Sequence, residues 1–451
     1  MIRAVLFPRF LELSLRSRLR RSILGVAVGV AGLVVVSDAI RIAIADSLGE
    51  SDRLSALRKG IALDPNNPKL HGRLALFYSY SSEEPNAVEA VAHLRRATEL
   101  NPYEGFFWLN LALAQESIGD TVSADANFAR ALELRPMSPR FRWIAGNYFL
   151  RTGRPAMACS QFQRLLEVSP EYGPSTFRLC LRALGDPEAV FERVLPPEGS
   201  PEIKAAFISF LSTNGELDSA YRLWNRKMTK AHPFSFQAAE PFLERLIEAK
   251  RVGDARSVWL DLERLGIIKK PSLDKQGNLV FNWDFEQDPL NAGFDWNYRT
   301  RPYLLLDFSD PQAYSGVRCL RLHFTAPQNE DFEATSQIIP VDPDQPYLLK
   351  AVVRSKDLSS GSGPRLRVQD FTDPPGLDVE TAGTVGTTPW HELSLTFSTG
   401  EKTSFVRLSV RRPRSRTFPG EITGTFWLDA ISLTGVTSTS ARTTSNTADG
   451  P

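Results

Sequence analysis

The chain has 451 residues, with 53 Lys and Arg against 52 Asp and Glu, a net charge of +1, and 42% apolar side chains. That length accommodates several domains, and so even a charge balance gives no support to a nucleic-acid partner. Three cysteines, Cys159, Cys180 and Cys319, cannot all pair and belong to no closely spaced metal motif, so they read as small buried hydrophobes and leave the compartment undecided.

Residues 1–21 read as a basic cytoplasmic N-terminus: Arg3, Arg9, Arg16, Arg18, Arg20 and Arg21 stand against Glu12 alone. Ile23 to Val36 then carries no charge, and the apolar character resumes past Asp38 and Arg41. Residues 22–45 are therefore predicted to be a transmembrane signal anchor in the inner membrane, with the arginines inside and the bulk of the chain periplasmic. The Ala43-x-Ala45 pattern before Asp46 leaves a cleaved signal peptide as a second reading, and an amphipathic helix of a soluble protein as a third.

From residue 50 to 266 the chain repeats itself. Pro102, Pro136 and Pro170 stand 34 residues apart, each closing one helical phrase: AVAHLRRATELNP, ADANFARALELRP and AMACSQFQRLLEVSP. A fourth copy, RLSALRKGIALDP, ends at Pro65, and SSEEPN lengthens the turn before the next. Twelve residues before each of the later three prolines stands Ala90, Ala124 or Ala158, and eight before stands Leu94, Phe128 or Phe162. Those offsets share a helical face, the small residue admitting a neighbouring helix and the large one filling the gap, and the proline stops the helix. Each unit is a predicted helical hairpin. Beyond Pro170, Gly185, Gly215 and Gly253 punctuate further amphipathic pairs, giving five to six pairs in all.

This period and phrase resemble the tetratricopeptide-repeat (TPR) family, whose concave face of first helices binds peptides and partner proteins. The resemblance implies groove positions at Lys69, Leu109, Arg140, Trp143, Asn147 and Arg151, and envelope proteins as partners. The paired Lys/Asn arrangement of the family's chaperone-tail binders is missing, and Trp143 also reads as a wedge between helices.

After a linker at 267–277, residues 278–435 alternate in twos: RCLRLHF, YLLKAVVRS, RLRVQDF, HELSLTFS, SFVRLSVRR and GTFWLDAISL. Such a period predicts an antiparallel β-sandwich of about eight strands. The overall fold class is thus α then β: a helical solenoid followed by a jelly roll, with an N-terminal membrane segment. The opening NLVFNWDFE and closing FWLDAISL resemble the galactose-binding-like jelly rolls of carbohydrate-binding modules of families four, nine and twenty-two. The resemblance implies a structural calcium held by Glu286 and Asp429, with solvated or ion-paired acids as the alternative. The fold hosts sugar binders, protein binders and purely structural domains alike, so the ligand does not follow from the resemblance; a polysaccharide is one candidate partner of the jelly roll and another protein the alternative. Sugar binding needs exposed rings, and GFDWNYR offers Trp296 and Tyr298 flanked by Asp295, Asn297 and Arg299, with core packing as the competing use of the rings. Trp283 and Trp427, at the two ends of the domain, read as core, and Trp390 is a further aromatic candidate. Residues 436–451 read as a disordered Ser/Thr-rich tail.

Five histidines, His71, His93, His232, His323 and His391, sit beside no second His or Cys at ligand spacing, and no G-x-S-x-G, Walker or H-E-x-x-H phrase occurs. The chain is therefore expected to have no enzymatic activity and to require no cofactor. The expectation is an envelope scaffold, engaged in polysaccharide assembly or export, with a carbohydrate-binding receptor as the rival reading.

Overall fold

The computed structural model describes residues 18–51, 53–81, 85–197, 201–230, 233–269 and 277–436. Most of the basic N-terminus and of the linker, residues 82–84 of the SSEEPN turn, nearly all of the tail, and His232 lie outside them. The chain divides into two compact units, Met1–Val168 and Ser169–Pro451.

In the first unit α1 (Arg18–Gly49) precedes α2 (Leu54–Leu63), α3 (Pro68–Tyr80), α4 (Ala87–Leu100), α5 (Gly105–Ser117), α6 (Thr121–Leu134), α7 (Pro139–Arg151) and α8 (Pro155–Val168). The starts are set by side chains that accept orphan N–H groups: Asn67 takes that of Lys69, Asn86 that of Glu89, and Asp120 that of Ser123. Ala90, Ala124, Ala158, Leu94, Phe128 and Phe162 are all buried, as their spacing predicts. Gly146 on α7 shows how close the pairs come, since a Cβ there would lie 2.5 Å from the Phe162 ring on α8. The end of α1 serves as the partner of α2. Ala45 is fully buried, Asn67 donates to Asp46 at 2.9 Å, and Arg73 and Arg41 reach the carbonyls of Gly49 and Leu63. Among the described residues Arg21–Gly49 is the one helical stretch long and apolar enough to cross a membrane.

The second unit continues with α9 (Gly173–Leu184), α10 (Pro187–Arg193), α11 (Pro201–Thr213), α12 (Leu217–Leu223), α13 (Phe236–Glu248) and α14 (Val252–Arg264). Ten strands follow: β1 (Asn297–Tyr298), β2 (Leu304–Asp310), β3 (Cys319–Gln328), β4 (Phe332–Pro340), β5 (Pro346–Leu358), β6 (Arg365–Asp370), β7 (Asp378–Glu380), β8 (Gly386–Ser398), β9 (Phe405–Arg412) and β10 (Ile422–Gly435). They form two five-stranded antiparallel sheets, ordered β1-β4-β9-β6-β7 and β2-β3-β10-β5-β8. All six alternating segments read from the sequence are strands. Their inward rows, Val406, Leu408 and Val410 from the first sheet and Leu349, Ala351, Val353, Phe426 and Leu428 from the second, share one apolar core.

The opening phrase NLVFNWDFE is not a strand. Asn282 and Phe285 take positive φ, and the segment is tied instead to β10, with the Leu279 N–H on the Leu433 carbonyl and the Ile431 N–H on that of Trp283. A second departure concerns Phe405, which alternates with core residues yet is fully buried. The α13–α14 hairpin explains it. Trp259 packs edge-on against Phe281 and Phe294 with centroids 5.1 and 5.4 Å away, and Phe294 packs on Phe405 at 5.8 Å. Gly293, at φ +61°, donates its N–H to Glu244 at 2.6 Å, and a Cβ at this position would lie 2.5 Å from the Trp259 ring. Lys250, in the turn between α13 and α14, lies 3.1 Å from the Phe371 ring centroid and donates to the Phe371 carbonyl. The last helical hairpin is thus packed as part of the β domain, across the linker that separates them in sequence.

Candidate functional site

The four described histidines are tied into local packing. His323 meets the Thr425 hydroxyl at 2.9 Å, and His391 the Pro389 carbonyl at 3.0 Å. His71 and His93, 22 residues apart in sequence, are brought together across α3 and α4 with Nδ1 to Nδ1 at 2.9 Å. The other His71 nitrogen donates to the Pro65 carbonyl at 3.0 Å. Desolvation, then the His71 partner, holds the His93 pKa below that of a free imidazole. Sequence spacing hid this pair; the available signal was that one residue lies on a first helix and the other, beside Leu94, on the packing face of its partner. Among the described residues no group of three His, Cys, Asp or Glu is arranged to hold a metal ion. Burial, then Asp310, pushes the Cys319 thiol up to about 12, which leaves it without nucleophilic thiolate at neutral pH.

Glu286 and Asp429 both take backbone N–H groups of one turn. One Asp429 oxygen accepts the N–H groups of Tyr314 and Ser315 at 2.8 and 2.9 Å, and the other that of Ala430 at 2.7 Å. Glu286 accepts those of Val317 and Arg318 at 2.6 and 3.0 Å. Both Glu286 bonds fall on Oε1, and the two Asp429 oxygens share three donors. The two acids act directly as clamps on the turn between β2 and β3.

The proposed sugar platform at Trp296 is also corrected by the packing. Trp296 is 0% exposed, packed on Phe285 with centroids 5.4 Å apart, and its indole N–H donates to the Asn282 carbonyl. A ring with no accessible face cannot stack on a pyranose. Asp295 is buried beside it, accepts the N–H groups of Leu290 and Trp296, and has its pKa pushed up to about 6 by burial. Tyr298 packs on Phe308 at 5.0 Å, Asn297 donates to the Asp295 carbonyl at 3.1 Å, and Arg299 is exposed.

In the repeats, Lys69 and Arg140 are exposed, and Arg140 lies over the Phe106 ring at 5.4 Å. Leu109 is buried in the array and is unavailable to a ligand. Arg151 is engaged by Glu116 through two hydrogen bonds of 2.9 and 2.8 Å. Trp143 packs on Phe162 with centroids 5.7 Å apart, the wedge that the sequence allowed, and Asn147 donates to its carbonyl at 2.8 Å.

The β domain presents two outward faces. On the first sheet β6, β9, β7 and β4 bring Arg365, Arg367, Arg411, Glu380, Asp378 and Glu333 into one lattice. Arg367 bonds Asp378 at 2.6 and 2.7 Å, and Arg411 bonds Asp331 and Glu380 at 2.5 Å each. Arg412, one residue on, points inward and is buried; it donates to the carbonyls of Ser362, Glu330 and Gly420 and to the side chains of Ser360 and Asn329. On the second sheet Trp427 faces outward between Arg354 and Arg321 in the strand register, and Arg354 covers its ring at 4.8 Å. Tyr314 and Trp390 stand beside them. Tyr314 escaped the sequence reading, although an aromatic set among Gln, Ala, Ser and Gly in a turn is a signal of an exposed ring.

No family model matches the chain. Over 86 residues it is 35% identical to the protein O-mannosyl-transferase TMTC1 of Homo sapiens, a stretch that is 19% of this chain and 10% of that protein. The chain thus spans a tenth of that relative's length. Among solved structures, TTC0263, a thermophilic TPR protein of Thermus thermophilus, is 22% identical over 30% of this chain and 72% of its own, with a TM-score of 0.26. The carbohydrate-binding module TmCBM61, solved in complex with beta-1,4-galactotriose, is 16% identical over 35% of this chain and 99% of its own, also at 0.26. At such scores the fold class stands on the element order and sheet topology above: a helical repeat array followed by an antiparallel β-sandwich.

Proposed function

We propose that this chain is a non-enzymatic, membrane-anchored scaffold of the cell envelope, with its bulk outside the cytoplasm. Its repeats hold protein partners in the assembly or export of a polysaccharide, and it requires no cofactor. The observation that carries the reading is the seam between α1 and the array. Ala45, the residue a signal peptidase would cut after, is fully buried inside a continuous helix whose end packs on α2. Removing residues up to Ala45 would strip the first hairpin of a helix it is built around, which supports an uncleaved anchor over a cleaved signal. The arginines before Ile23 favour an N-terminus inside.

Affinity capture from detergent-solubilised membranes tests the scaffold, with envelope proteins recovered alongside the full chain as the expected result. Capture of no partner under conditions that preserve other membrane complexes would sink it. A mature N-terminus at Asp46, or release from membranes by salt, would remove the anchor. A second reading, a glycan receptor with the repeats as spacer, is favoured by the exposed Tyr314 ring packed beside the partly buried Trp390 at the second sheet.

A further inference from the structure

Tyr314 is 57% exposed, and Trp390 on β8 is half-buried beside it, with ring centroids 5.9 Å apart and planes inclined at 56°. The two rings touch at a tilt, and Tyr314 keeps most of its ring in solvent. The backbone that carries Tyr314 is fixed before any ligand arrives, because Asp429 takes the N–H groups of Tyr314 and Ser315 and Glu286 those of the next turn. Preorganisation of this kind lowers the entropy cost of binding. Polar groups border the rings: Arg354, stacked on Trp427, reaches Gln312 at 3.3 Å, and Lys350 pairs with Glu392 at 3.0 Å. The indole N–H of Trp427, buried beneath Arg354, has no hydrogen-bond partner.

We infer that Tyr314 and Trp390 form a saccharide-stacking platform on the outward face of the second sheet, taking neutral pyranose units with Arg354 and Gln312 reading the hydroxyls. A pyranose offers one face of C–H groups to an aromatic ring and a rim of hydroxyls to planar polar side chains, the combination present here. The cations that border the rings are already engaged, Arg354 by Trp427 and Gln312 and Lys350 by Glu392, which suits hydroxyls rather than a sugar carboxylate. The inference rests on the glycan-receptor reading above.

The test uses the full-length chain in detergent, titrated with a panel of neutral β-1,4-linked gluco-, galacto- and manno-oligosaccharides and followed by calorimetry and tryptophan fluorescence. At least one is expected to bind. Tyr314→Ala and Trp390→Ala should each weaken it by about tenfold, equivalent to about 1.4 kcal/mol, with Trp390→Phe retaining most of the affinity. Arg367→Ala, on the opposite face, should change nothing, and thermal melts establish that each variant is folded. Undiminished binding by the Tyr314→Ala/Trp390→Ala pair overturns the platform while leaving the glycan reading intact. Absence of binding by the wild type to every sugar overturns both. Loss of a captured protein from the double variant, with no sugar bound, identifies the patch as a protein contact and overturns the proposal as well.

Discussion

The outward faces of the two sheets solve opposite problems with the same strand geometry. On the first, β6 raises Arg365 and Arg367 and β9 raises Arg411, and carboxylates of β4 and β7 and the turn at Asp331 pair with them, so that this part of the face is held by its own ion pairs. One end of that face is then roofed by α13–α14 through Phe405. On the second, aromatic rings stand among separate ion pairs, Lys350 with Glu392 and Arg321 with Asp307 and Asp310, and Tyr314 keeps an exposed ring. A surface saturated by internal partners resists a ligand, because every new contact must displace an existing one; a preset surface with open ring faces does not.

This contrast can be broken at several points. The largest effect is expected at the roof. Gly293→Ala forces a Cβ into Trp259 at a backbone angle that disfavours side chains, and should cost the β domain about 3 kcal/mol, read as a fall in the denaturation midpoint. Next comes Asp295, beneath the same joint. Its folded pKa of about 6 lies above the ordinary 3.8, so the folded state keeps its proton where the unfolded state has lost it. Stability should therefore fall as pH rises from 3.8 to about 6, by on the order of 2 kcal/mol, and level off above. Denaturant titrations across that window read the slope, which Asp295→Asn should abolish.

A smaller change is expected on the first face. Arg411, whose pKa is raised chiefly by its bond to Asp331, sits in a network that is only partly exposed. Arg411→Ala should cost about 1 kcal/mol and lose that effect in high salt, measured by melts at two ionic strengths. The smallest is Trp390→Ala, which should shift stability by about 0.5 kcal/mol because the ring lies at the surface beside the exposed Tyr314. A large destabilisation there would mean that the second face is held together by its rings, as the first is by its charges, and the contrast would dissolve.

Much of this architecture was legible in the residues. The 34-residue period located the hairpins because a packed helix pair needs a small residue opposite a large one, and Ala124 with Phe128 satisfies that locally. Strands β3, β5, β6, β8, β9 and β10 were legible for the same reason: alternation is a local code. What failed was whatever depended on a distant neighbour. Trp296 lies in a polar, aromatic phrase typical of an exposed loop, yet Phe285 and the Asn282 carbonyl enclose it. Phe405 follows the solvent register of β9 and is buried by rings from beyond the strand. Glu286 and Asp429, far apart in sequence, are brought to the same turn at 314–318, where they take its N–H groups.

The docking of α1 against α2 carries a mechanical consequence. A helix of 32 residues is about 48 Å long, against about 30 Å of hydrocarbon, and its charged pair Asp38 and Arg41 falls where such a span would emerge. The turns beyond that pair are the ones that grip α2 and α3, so the first repeat would sit at the headgroups with no slack chain between. Rotation of the span about its axis would then turn the first repeats with it, and any association of spans within the bilayer would dictate how neighbouring arrays face one another.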